Sequence, residues 1–228
     1  MDANYIPLPR RLKMKTTSLT LALAVAALMA GCGSVERSRS LNDPAVPGRV
    51  LAQQVCSNCH GPNGNAESPN FPNLAAQQEL YFAAQLKGFR GHSRFDPAGF
   101  EYMWGLSKYL TDDQISGLAA YYAAQKPVAI HYRTGNPALA DEGKAIFEKG
   151  ISDKAIPPCS TCHGAEGQGN ATFPRLAGQH ADYLVKQLRV FQRTDERPEG
   201  SMMKEISHLL TPENMEAVAS YLESYPAK

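Results

Sequence analysis

The sequence predicts an all-α protein built as two tandem helical domains. Three observations carry that prediction. The motif Cys-x-x-Cys-His occurs twice, as Cys56-Ser57-Asn58-Cys59-His60 and as Cys159-Ser160-Thr161-Cys162-His163. The chain around the first motif returns around the second. In both copies the apolar residues recur at helical spacing, and no convincing strand pattern interrupts them.

Cys-x-x-Cys-His is the attachment sequence of a c-type haem. The thiols bond the porphyrin edge, and one helical turn carries the following histidine over the iron. Two motifs imply two haem c groups, held by Cys56, Cys59, Cys159 and Cys162. Other uses of the motif fit less well. A thioredoxin-type pair belongs in a βαβ context. Structural zinc gathers its ligand doublets within a few tens of residues, whereas these lie 103 residues apart. Two disulfides would leave both histidines without a purpose.

The repeat extends well beyond the cysteines. Phe71-Pro72-Asn73-Leu74-Ala75-Ala76-Gln77 returns as Phe173-Pro174-Arg175-Leu176-Ala177-Gly178-Gln179. Tyr81, Leu86 and Phe89 return as Tyr183, Leu188 and Phe191, and Leu110-Thr111 as Leu210-Thr211. The chain divides accordingly: residues 48–126 form the first domain, 127–136 a linker and 137–228 the second domain.

Each copy reads as a few helices around its haem. One helix leads into the motif, near residues 49–55 in the first copy and 138–149 in the second. In the latter, Gly143 and Phe147 share a face, a small residue beside an aromatic one. A middle helix follows at 79–89 and 181–192. The last helix opens on a capping box in the first copy, with Thr111 as N-cap and Gln114 reaching back. In the second copy it opens on Thr211-Pro212, with proline at the first helical position. Ile115, Leu118 and Tyr122 line its inner face in one copy, and Met215, Val218 and Leu222 in the other. Domains this small bury a marginal core, so the haem-free chain is expected to fold poorly.

The second axial ligand of each iron decides between catalysis and electron transfer. Met103 lies eight residues before Thr111, and Met203 lies eight before Thr211. Met202 aligns with Tyr102, and Met215 with the core residue Ile115. The repeat therefore selects His60/Met103 and His163/Met203 as axial pairs. His92, His131, His180 and His208 have no histidine partner in the other copy and read as surface or capping residues. Pro72 and Pro174 are candidates for the carbonyls that orient the ligand histidines; a rigid-loop role is the alternative. Trp104 reads as haem wall.

The amino terminus reads as an export signal over residues 1–31. Arg10, Arg11, Lys13 and Lys15 precede an uncharged apolar run over residues 19–30, too short for a membrane span. Met29-Ala30-Gly31-Cys32 resembles a bacterial lipobox, which implies that Cys32 is a lipidation site and residues 32–47 a tether; plain cleavage after Ala30, giving a soluble protein, is the alternative. Formal net charge is +1, so the basic footprint of a nucleic-acid binder is absent. Residues 49–126 carry six basic and six acidic side chains, and residues 137–228 carry ten and thirteen.

Taken together, the two Cys-x-x-Cys-His-Gly runs, the paired Phe-Pro-x-Leu-Ala-x-Gln stretches, the lead-in Gly143-Lys144-Ala145-Ile146-Phe147 and the matched methionines resemble the dihaem class I cytochromes c, in particular the cytochrome c4 family. The resemblance covers residues 48–225. It departs at Ala76, where the second copy has glycine. It implies two haem-wrapped domains related by an approximate two-fold axis with haem propionates facing each other. It also implies the axial pairs above and the Pro72 and Pro174 carbonyls as histidine partners. The implied function is electron carriage without catalysis, between a quinol–cytochrome c oxidoreductase and a haem–copper terminal oxidase. The expected place is the periplasm, with no small-molecule substrate; the expected membrane anchor through Cys32 is a second departure from the family. Two alternatives are a dihaem enzyme of the peroxidase or thiosulfate-oxidising type and an electron-transfer subunit of a dehydrogenase complex.

Overall fold

A computed structural model describes residues 37–225 except 98, 132 and 194, and helices organise these described residues. The chain divides into two units, Met1–Arg37 and Ser38–Lys228. The expected signal and Cys32 lie outside the described residues. Everything below concerns the second unit, which contains two lobes of matching construction.

In the first lobe α1 (Gly48–Leu51) runs through a π-helical turn (Ala52–Cys56) into α2 (Ser57–His60). Next come α3 (Glu79–Arg90), a second π-helical stretch (Gly99–Trp104), α4 (Gly105–Ser107) and α5 (Asp112–Ala123). The second lobe opens with a 3-10 turn (Pro137–Leu139) and continues with α6 (Ala140–Lys149), α7 (Ser160–His163), α8 (Ala181–Arg193), α9 (Ser201–Leu209) and α10 (Pro212–Ser224). The methionine segments differ: Met103 sits in a π-helical stretch, Met203 in an α-helix.

Local sequence explains most boundaries. Thr111 accepts a bond from the Gln114 N–H at 3.1 Å, and Gln114 Oε1 accepts from the Thr111 N–H at 2.9 Å, closing the expected capping box. At α10, Thr211 and Asn214 form the same reciprocal pair, with Pro212 at the first position. Gly61 and Gly164 end α2 and α7 at φ of 75° and 82°, a region where a side chain is strained.

The core of the first lobe gathers Leu51, Phe82, Leu86, Ile115, Leu118 and Tyr122. In the second, Ile146, Phe147, Leu184, Val218 and Leu222 play the same part, and Met215 packs with Ile156 and Leu210. The lead-in helix crosses the last helix closely in both lobes. A Cβ on Gly48 would collide with the Gln114 carbonyl, and one on Gly143 with the Ala217 carbonyl. Only glycine lets these backbones meet.

Two connecting segments are held more firmly than a tether and a linker suggest. Val46, in the segment expected as tether, is buried in the first-lobe core, and Leu41 packs beside it. Gln114 Nε2 donates to the Asp43 and Val46 carbonyls. With its Oε1 held by the Thr111 N–H, the Gln114 amide aims its Nε2 at the incoming chain and holds it on the lobe. In the linker, Thr134 and Gly135 donate backbone N–H bonds to the Glu223 carboxylate, and Asn136 donates to Ser220. Val128 N–H donates to Asn65 of the first lobe.

Candidate haem sites and the lobe junction

Each motif helix is one turn long and ends on its histidine. His60 and His163 are buried. Each directs Nδ1 at a proline carbonyl, Pro72 for His60 and Pro174 for His163, at 2.9 Å in both cases. A carbonyl can only accept, so Nδ1 carries the proton and Nε2 is left with a lone pair. Burial lowers both histidine pKa values, against a smaller opposing pull from the proline carbonyls. Neutral, oriented imidazoles are what an iron ligand requires. Phe71 and Phe173 meet the two rings edge-on, with centroids 6.1 and 6.2 Å away.

The four cysteines are unpaired and half-buried. Burial pushes the Cys56 and Cys159 thiols up to about 11. A redox-active dithiol needs the opposite shift, whereas covalent attachment to a porphyrin removes the thiol altogether. Oriented histidines beside unpaired cysteines therefore fit haem c in both lobes.

Met103 is half-buried and packs with Cys56 against the same core. Met203 is half-buried on α9. Their neighbours Tyr102 and Met202 are 60% and 55% exposed, so the residues chosen by the repeat are the less exposed ones. Ser107 Oγ donates to the Met103 carbonyl at 2.7 Å, and Ser207 Oγ to the Lys204 carbonyl at 3.1 Å. Trp104 stacks on Phe100 at 6.0 Å, with His92 beside it and Lys108 over its ring.

Polar side chains that the sequence reading gave no role join the lobes. Gln179 Oε1 accepts from the Asn73 N–H (2.8 Å), and its Nε2 donates to the Asn73 carbonyl (2.9 Å). Gln77 does the same to Arg175, at 2.7 and 3.1 Å. One position further on, Gln78 Nε2 donates to the Gln168 carbonyl at 2.9 Å, and His180 Nε2 to the Ala66 carbonyl at 3.0 Å. His180 is thus fully buried at the junction, where a surface or capping role was expected. It stands in for the glutamine of the first copy because either side chain can reach across as a donor.

Deeper in the junction lie two buried arginines. Arg94 Nη1 donates to Gln85 at 2.6 Å, while Arg197 donates to Gln187 at 2.6 Å and to Gln85 at 2.9 Å. Arg94 covers the Phe89 ring and Arg197 the Phe191 ring. Asp96 pairs with Arg94 at 2.8 Å. Burial penalises the Asp96 charge, yet Arg94 beside it holds the carboxyl below the usual range. Burial likewise opposes the Arg94 charge, and Tyr183 and Asp96 hold it above its ordinary value. The repeat contains these residues too: Gln85 and Gln187 lie 102 apart, and Arg94 and Arg197 lie 103 apart. The differing loops between them hid the match.

Two matched sites in one helical body define a protein that carries electrons on two c-type haems. The cytochrome c family model matches residues 45–124 and again residues 140–226. Over 215 residues the chain is 34% identical to cytochrome c4 of Stutzerimonas stutzeri, spanning 90% of this chain and 96% of that protein. The solved structure of Acidithiobacillus ferrooxidans cytochrome c4 matches with a TM-score of 0.67 at 40% identity, covering 74% of this chain and 97% of the other. A thiosulfate dehydrogenase electron acceptor of Thiomonas intermedia is 31% identical over 174 residues, 75% of this chain and 78% of that protein. The chain belongs to the cytochrome c family, as a dihaem class I member resembling cytochrome c4. It binds two haem c groups covalently and acts in electron transfer.

Proposed function

We propose that the protein is a periplasmic respiratory carrier that takes electrons from a quinol–cytochrome c oxidoreductase and delivers them to a haem–copper terminal oxidase. Cys56 and Cys59 hold the first haem, and Cys159 and Cys162 the second. His60/Met103 and His163/Met203 would be the axial pairs, with the histidines oriented from behind by the Pro72 and Pro174 carbonyls. The iron supplies reversible one-electron chemistry when bound. The chain's own residues close both axial positions, keep the histidines neutral and shield them from water. An export signal over residues 1–31 and a lipid on Cys32 place the carrier on the membrane surface.

The observation that supports this reading best is the duplicated histidine–proline carbonyl bond, present at the same length in two lobes that each offer a half-buried methionine at a matched position. Absorbance of the oxidised protein tests it. A methionine–iron charge-transfer band accounting for both haems is expected, with no carbon monoxide binding in the native reduced protein. High-spin signal or carbon monoxide uptake at either haem would favour the enzyme reading instead.

The relative named a thiosulfate dehydrogenase electron acceptor supports a second reading, in which a dehydrogenase is the donor. Reduction rates with a thiosulfate dehydrogenase and with a quinol–cytochrome c oxidoreductase separate the two.

A further inference from the structure

The cross-lobe glutamines do more than join two surfaces. Pro72 C=O and Asn73 N–H are the two ends of one peptide group. His60 donates to the oxygen of that group at 2.9 Å, and its N–H donates to Gln179 of the opposite lobe at 2.8 Å. In the second lobe, Pro174 C=O and Arg175 N–H likewise form one peptide group. His163 donates to its oxygen at 2.9 Å, and its N–H donates to Gln77 of the first lobe at 2.7 Å. Both glutamines are buried. Their acceptor oxygens are fixed by a second bond, from Gln78 N–H at 2.9 Å and from His180 N–H at 3.1 Å.

We propose that Gln179 is a positioning residue for the first-lobe haem and Gln77 for the second-lobe haem, each lowering the potential of the haem it does not share a lobe with. An amide that donates through N–H gains electron density on its oxygen, since linked hydrogen bonds polarise one another. A more negative carbonyl draws harder on the histidine Nδ1 proton and makes Nε2 a stronger donor to iron. A stronger donor stabilises the ferric state, and outer hydrogen bonding is one of the levers that set haem potentials. Each lobe thereby holds a hand on the other's axial ligand, through three consecutive hydrogen-bonding groups and no through-space charge. This inference rests on His60 and His163 being the axial ligands.

The test is spectroelectrochemistry of the full-length dihaem protein, with the haems told apart by their axial-methionine proton resonances. Gln179→Leu is expected to raise the potential of the first-lobe haem alone, and Gln77→Leu that of the second-lobe haem alone. The histidine Nδ1 proton of the affected lobe exchanges faster with solvent. Gln78→Ala, which deletes a cross-lobe bond that touches neither proline peptide, leaves both potentials in place. Should a leucine variant fail to accumulate, Gln179→Glu keeps an oxygen acceptor on Asn73 N–H and is expected to move the first-lobe haem downward. A shift in the same-lobe haem, an equal shift in both, no shift, or the same shift in Gln78→Ala would overturn the proposal. A retained low-spin histidine–methionine spectrum in these variants shows that the axial assignment stands whichever way the potentials move.

Discussion

In the proposed carrier His60 and Met103 would hold the iron of one haem, and His163 and Met203 that of the other. Thioether ligation raises the potential of a haem relative to stronger donors. Replacing Met103 or Met203 with alanine should remove about half of the charge-transfer band, with the other haem unchanged and the altered haem open to carbon monoxide. Potentiometry with absorbance detection checks both points. A band that survives either substitution intact would remove that methionine from the axial set. Ala76 offers a different residue-scale test. It adopts φ 54°, where its counterpart Gly178 adopts 71°. A side chain in this region costs roughly 1–2 kcal/mol, offset in part by the extra freedom glycine has when unfolded. Ala76→Gly should therefore stabilise the holoprotein by about 0.5–1 kcal/mol, read as a higher denaturant midpoint. The aligned glycine made this departure visible in the sequence, but the strain became visible only with the dihedral angle.

At the scale of elements, the crossing of α6 on α10 carries the second lobe. Gly143 faces the Ala217 carbonyl there, and Phe147 beside it is fully buried. A methyl group at Gly143 must push two helices apart. Overpacking of this kind costs roughly 1–3 kcal/mol, so Gly143→Ala should lower the thermal midpoint, while the same change at the open Gly105 should not. Helix boundaries were mostly readable in advance. Thr111 and Gln114 match a reciprocal cap by residue type, and that cap forms. The matching cap at Thr211 was only half readable, because Asn214 is not the glutamate or glutamine that marks the third position. The π-helical turns at Cys56 and Met103 have no sequence signature. They arise where packing, rather than periodicity, decides the hydrogen-bond register.

For the molecule as a whole, the junction binds two marginal cores into one body. Its Arg94–Asp96 pair is buried and hydrogen-bonded, and removing one partner of such a pair costs roughly 3–5 kcal/mol. Asp96→Asn should lower stability by about 3 kcal/mol at neutral pH, measured by denaturant unfolding of the holoprotein. The pH dependence follows from the lowered Asp96 pKa. Its contribution is present above the ordinary aspartate value of about 3.9 and fades as pH falls through the lower folded value. Wild type and Asp96→Asn should therefore converge in stability as the solution is acidified. Parallel curves down to the lowest accessible pH would show that Asp96 is not the group responsible.

The sequence by itself determined the two haem attachments and the duplicated helical domains, and it put forward Met103 and Met203 over their neighbours as ligands. Each of these is written in local spacing, and the repeat offers an internal comparison for every position. Tertiary structure alone decided how the lobes hold one another. Gln77 and Gln179 stood in the quoted repeat without a role, and Arg94 and Arg197 went unmatched. Their partners lie roughly a hundred residues away, so no local pattern reports them. A glutamine at a helix start looks like any exposed polar residue until a second backbone is brought against it. His180 was misplaced for the same reason: it aligns with Gln78 as a donor, not as a histidine.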